Sequence, residues 1–186
     1  MQACHFTLKA RRAARGFTMV ELMVTVVIVG ILSMLAVYST RKYIASSKGA
    51  EAIDMIANIK TAQEGYLQET FGYLDVSTDF SSTSYYPNNP SPGRAKMNFA
   101  GAGNGQANWQ LLGVQAAGPV TFVYACKAGA NSAPTALGSD ITVTNWPTTI
   151  NAPWYVVKAR ADFTGTGVYT VFATGSFTGD MFSANN

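Results

Sequence analysis

"RGFTMVELMVTVVIVGILSMLAVYS" runs from Arg15 to Ser39, and its reading decides the fold. From Leu22 to Thr40 no side chain carries a formal charge, yet Glu21 sits at the head of the run. About 20 consecutive apolar residues are enough to cross a bilayer as a helix, so the stretch is long enough to span. A carboxylate placed where it must enter lipid is expensive, and such a group is normally paired or functional. Glu21 therefore needs a partner or a purpose.

The charge around this stretch is uneven. The 186-residue chain has a formal charge of +3, but Lys9, Arg11, Arg12 and Arg15 crowd into the first sixteen residues. The rest of the chain nets −1. That near-neutral body gives no global reason to expect nucleic-acid binding, and the clustered charge reads as an address. Three readings compete for the segment. A cleaved secretory signal needs a shorter apolar core and a small-x-small site; Ala36 would need a small residue two positions earlier and finds Met34. A plain membrane anchor accounts for the run, with the basic residues on the cytoplasmic side. In that reading Tyr38 and Tyr43 sit near the far interface, with Arg41 and Lys42 among the head groups, and Glu21 has no role.

The third reading gives it one. The stretch "RGFTMVELMVTVVIVGIL" closely resembles the class III leader and N-terminal helix of type IV pilins and the related pseudopilins. The resemblance covers about Arg11 to Phe71 and carries a set of expectations. A prepilin peptidase would cut between Gly16 and Phe17, removing leader 1–16, and would N-methylate Phe17. Glu21 would occupy the family's acidic position, four residues beyond that phenylalanine, and pair with the Phe17 amine of its own or a neighbouring subunit. Such a pair is costly to desolvate, but an orphan charge is worse. The alternative is a glutamate that snorkels or favours the helix N-terminal dipole. The implied partners are the peptidase, related pilin subunits, an assembly platform and ATPase, and inner-membrane lipid before assembly. Many family members place proline at the position held by Tyr38, and its absence removes a built-in kink.

Proline is also absent from Phe17 to Tyr86. Past the apolar run, Ala52, Met55, Ile56, Ile59, Tyr66 and Leu67 recur at helical spacing. One helix over about 17–71 is predicted, roughly 80 Å long. Its first half, 17–40, would lie in the membrane or filament core; its second would bury one stripe. The segment 72–119 is rich in Pro, Asn, Gly and Ser and reads as a long surface connection, the family's αβ-loop. Strand signals follow in 120–186: Val120–Lys127, Trp154–Phe163 and Val168–Thr174, with Ile141–Thr144 as a short addition. In the second of these, Tyr155, Val157, Ala159 and Ala161 would face a core, with Lys158, Arg160 and Asp162 outward. The expected class is α+β, a long helix packed on a C-terminal antiparallel sheet.

Catalysis finds little support. The only histidine, His5, lies in the leader, so the mature chain would hold no Ser-His or Cys-His dyad and no histidine metal site. Cys126 would remain without a disulfide or zinc partner and reads as a small buried side chain. The C-terminal cysteine pair found in many pilins is missing. Gly101, Gly103 and Gly105 follow no strand and lack the lysine of a phosphate loop. Asp162 and Asp180 flank a hairpin and could hold a weak cation, as in some pseudopilins, or simply be solvated. Arg94, Lys96, Lys127, Lys158 and Arg160 could form a basic patch for DNA, as competence pilins do. No catalytic, cofactor or metal residue is expected. A pilus subunit is the expected role; a secretion-system pseudopilin and a bitopic anchored binding protein are the alternatives.

Overall fold

The computed structural model describes residues 16–87, 95–100 and 103–185, apart from the side chains of 41, 42 and 44–46. The basic leader residues, Arg94 and Gly101 lie outside the described residues, as do the Arg41 and Lys42 side chains. The chain divides into two compact units, 1–42 and 43–186. Helix α1, Met19–Thr70, contributes its first part to one unit and its last part to the other.

The described part of the first unit is helical from Met19. Its large apolar side chains are exposed on every side. Within this unit nothing covers them, so the segment is built for apolar surroundings.

In the second unit α1 presents Ala52, Met55, Ile56 and Ile59 to the core, all essentially buried. Full burial of an isoleucine is worth about 1.5–3 kcal/mol, so this stripe anchors the helix. The helix stops because Phe71 adopts φ 60°, a left-handed residue that breaks the repeat. One polar residue also sits on the buried face. The Gln63 amide donates to the Leu74 carbonyl (2.8 Å) and accepts the Leu74 N–H (2.9 Å). It thereby pins the chain just after it leaves the helix.

The sheet is an antiparallel meander in the order β1-β2-β3-β4: Val123–Ser132, Ile150–Ala161, Thr170–Gly175 and Phe182–Ala184. At its centre Val157 pairs with Cys126 on one side and Thr174 on the other. The expected α+β class, a helix packed on a C-terminal antiparallel sheet, is what the structure has. One face carries Tyr124, Cys126, Tyr155, Val157, Ala159 and Phe172 and packs on the α1 stripe. Tyr86, Phe99 and Trp109 extend this core.

The expectation that the other face meets water is wrong. Residues 154–161 of β2 are all buried, and Lys158 and Arg160 with them. The reason is a second cluster, in which Phe80, Tyr85, Leu137 and Ile141 pack over Val123, Val156, Val171 and Ala173. Ile141–Thr144 forms no strand; Ile141 instead serves as a lid residue on this face. The fourth strand is the short Phe182–Ala184.

The connection between helix and sheet is also more than surface chain. It holds a seven-residue helix α2, Gln106–Leu112, bounded by left-handed Gly105 (φ 72°) and Gly113 (φ 74°). At Gly105 a Cβ would fall 2.8 Å from the Val76 carbonyl oxygen, so glycine is required twice over.

Candidate functional site: the helix N-terminus and its surroundings

The N-terminal site is built by a cap. Gly16, Phe17 and Thr18 are not helical, and the Thr18 hydroxyl accepts the Glu21 N–H at 3.2 Å. The Thr18 carbonyl accepts the Leu22 N–H at 3.1 Å. Thr18 is therefore the N-cap, and it satisfies one of the orphan donors of the first turn. Thr18-x-x-Glu21 has capping-box spacing, a signal in the sequence that the motif reading passed over. The cap places Glu21 in the first turn, where a negative charge meets the positive end of the helix dipole.

Glu21 stands near the start of a span of 22 residues, Met19–Thr40, with a mean hydropathy of 2.5 and none of it buried. At 1.5 Å per residue it is about 33 Å long, close to the thickness of a bilayer hydrocarbon core. Three hydroxyls inside it turn back on the helix. Thr25 donates to the Leu22 carbonyl, Ser33 to that of Val29 and Thr40 to that of Ala36, at 2.7–3.0 Å. These groups need no outside partner.

Two glycines here are not demanded by this chain. A Cβ at Gly16 or at Gly30 would meet nothing within 4 Å. Neither residue is held by local packing.

This helix start coincides with what comparison with known proteins finds. A family model described as the prokaryotic N-terminal methylation motif matches residues 11–37. The chain carries that motif, and its N-terminal third is similar to type IV pilins. The type IV major pilin protein PilA of Myxococcus xanthus is 38% identical over 65 residues, which are 35% of this chain and 30% of that protein. A fimbrial protein of Pseudomonas aeruginosa is 36% identical over 58 residues, 31% of this chain and 38% of its own. The type IV major alpha-pilin of Moraxella bovis is 38% identical over 72 residues, 39% of this chain and 44% of its own. The chain thus spans less than half the length of each of these pilin relatives. They are structural subunits, not enzymes. No solved structure matches the chain.

The other residues singled out in the sequence fall into place as parts of the fold. Arg94 lies outside the described residues, and the other four candidate basic residues do not form a patch. Lys158 is buried and binds Asp140 and the Leu137 carbonyl. The Arg160 guanidinium lies between the rings of Tyr85 (3.9 Å) and Tyr169 (4.6 Å). Lys127 pairs with Asp75, and Lys96 lies 3.7 Å from Glu51. Charges scattered over two faces and a core cannot track a phosphate backbone.

Asp162 and Asp180 are not joined into a site. Asp162 accepts the N–H groups of Thr164, Gly165 and Gly167 and so shapes the β2–β3 turn. Desolvation pushes its carboxyl up, but those backbone donors outweigh it and hold the group below the usual carboxylate range. Asp180 is exposed in the β3–β4 turn. Among the described residues no group of three or more His, Cys, Asp or Glu side chains is placed to hold a metal. Cys126 is buried, its sulfur accepting from Gln63 Nε2 at 3.2 Å. Burial pushes its thiol up to about 12, which the Gln63 contact only partly offsets.

Proposed function

We propose that this chain is a structural subunit of a type IV pilus. In this reading a prepilin peptidase removes residues 1–16 on the cytoplasmic face and methylates the new amino terminus at Phe17. The subunit then waits in the inner membrane, N-terminus inward, held by 17–40, with the remainder outside. A platform protein and ATPase transfer it into a helical filament that serves adhesion, motility or DNA uptake. One observation carries the proposal: a capped helix start, Thr18 to Glu21, followed by an apolar span that its own unit leaves uncovered.

Physical considerations support the parts. Gly16 has no packing role in this chain, so a glycine there suits an outside reader such as a peptidase. Gly30 leaves a notch on the helix surface that lets a second helix approach closely. Exchange of lipid for neighbouring helices yields little hydrophobic gain, so close packing and the pairing of Glu21 with a Phe17 amine would set the register between subunits.

Mass spectrometry of the protein made together with a prepilin peptidase tests the reading. The expected product starts at methylated Phe17. An intact leader would overturn the proposal and leave the bitopic anchor. A processed chain that never leaves the periplasm, in cells with an intact pilus machine, would instead assign it to a secretion pseudopilus.

A further inference from the structure

In the second unit α1 ends against three ordinary preferences at once. Phe71 takes the left-handed conformation, φ 60°, where glycine or asparagine is the usual choice. It is also 87% exposed, although large aromatic side chains normally bury their surface. The last turn holds no basic residue; it carries the exposed Glu69, an acid at the negative end of the helix dipole. Glu64, on the same stretch, is exposed too, and accepts the Tyr73 hydroxyl at 3.0 Å. Local rules broken together mark a functional place. The fold of the unit gains nothing from this acidic, aromatic knob, so the gain lies in what the knob touches.

A receiving surface lies at the other end of the same helical stretch. Tyr43, Ser47, Lys48, Glu51, Lys96 and Thr121 line an open hollow of about 280 Å³. The ring of the exposed Tyr43 and the lysine stems give it apolar wall. Its charge is opposite to that of the knob. Glu51 accepts the Thr121 N–H at 2.5 Å and lies 3.7 Å from the Lys96 ammonium. The Lys48 ammonium sits 4.3 Å over the Phe163 ring. Two ammonium groups thus stand against one carboxylate in this lining.

We propose that the Phe71 knob of one copy of this chain seats in the Tyr43–Lys96 hollow of a second copy. The proposal rests on the pilus reading and deepens it. Both halves of the contact stand on every chain. From Ser47 to Thr70 they are about 35 Å apart along α1, so no chain fills its own hollow. A contact between two unlike patches does not close as a two-fold dimer does; it propagates head to tail. An aromatic anchor in a hollow, ringed by complementary charge, is the form that an interface hot spot takes.

Cysteine cross-linking in sheared filaments tests the contact and leaves Phe71 in place. Ser47→Cys and Thr70→Cys, both at exposed positions, should together give dimers, trimers and a ladder of higher multimers on oxidation. Each single variant should stop at dimers. Cys126 is buried and stays out of the reaction, and Cys4 leaves with the leader. Phe71→Gly should lower filament yield about tenfold or more, as loss of an aromatic anchor does. The purified Phe71→Gly chain should keep or gain Tm, because glycine suits φ 60°. Filaments of the double variant without a ladder overturn the contact, and so do cross-links to other proteins only. Parent-like yield from Phe71→Gly does the same, and each of these leaves the pilus reading standing. A parent chain that makes no filament in cells with an intact machine overturns both.

Discussion

Asp140→Ala removes the carboxylate that faces the buried Lys158 ammonium. The Lys158 side chain is 1% exposed and that of Asp140 is 22% exposed. Deleting one member of a buried pair typically costs about 3–5 kcal/mol, because the survivor is left uncompensated. Partial exposure of Asp140 places this case at the lower end, about 3 kcal/mol. For a chain of this size that is about 6–12 °C in Tm. Lys158→Met behaves differently. It removes the buried charge and keeps the apolar stem, leaving the Leu137 carbonyl without its donor, a penalty of about 1–3 kcal/mol offset by relief from desolvation. Lys158→Met should therefore be the milder change, and adding it to Asp140→Ala should restore part of the lost stability. Chemical denaturation of the full chain in detergent measures all three. There is a pH signature as well. Burial lowers the Lys158 pKa, against the raising effect of Asp140. The unfolded lysine then holds its proton to higher pH than the folded one, so stability rises as pH climbs toward 10.5. Without Asp140 the effect grows, and the gap between variant and parent should narrow from pH 7 to pH 10. An Asp140→Ala variant no less stable than Lys158→Met would refute the reasoning.

Gln63→Leu keeps the side chain's size but makes it apolar, and strips both partners from the Leu74 backbone. Two half-buried groups left without their partner should cost about 1–3 kcal/mol together by denaturation, although the helical stripe becomes more hydrophobic. Cys126 should resist thiol reagents in the native chain at pH 8 and react on unfolding. Its folded pKa lies above the ordinary 9.0, so the stability it contributes is complete below pH 9 and lost as pH rises toward 12; a Cys126→Ala variant should show a flatter alkaline limb. On the pilus reading, Glu21→Ala should be processed at Phe17 yet fail to enter filaments, which shearing and immunoblotting measure. Wild-type filament yield would remove Glu21 from assembly.

The parts of the fold that show up in the sequence are those governed by one local period. Ala52, Met55, Ile56 and Ile59 announce a buried helical stripe because each is apolar and the spacing is regular. Val157, Ala159 and Ala161 announce a strand face for the same reason. Lys158 and Arg160 mislead because alternation with charge normally means one dry face and one wet one. Here a lid from elsewhere in the chain, centred on Leu137 and Ile141, makes the second face dry, and Asp140 arrives with it. No pattern within β2 could report that. Gln63 was hidden likewise: a polar residue on a helix reads as solvent-facing unless its partner, the Leu74 backbone eleven residues on, is known. At the N-terminal site the motif was legible, and so was its cap once Thr18 and Glu21 are taken together.

The three hydroxyls folded back onto the first-unit helix have a thermodynamic corollary. Thr25, Ser33 and Thr40 carry their hydrogen bonds with them, so moving that helix between oily surroundings neither breaks nor makes any of those bonds. On the pilus reading, oil and a bundle of sister helices are then nearly equivalent solvents for these three groups and the apolar side chains around them. Transfer in either direction is close to isoenergetic along most of the segment, and whichever way it runs, the work must be supplied by something other than the segment itself.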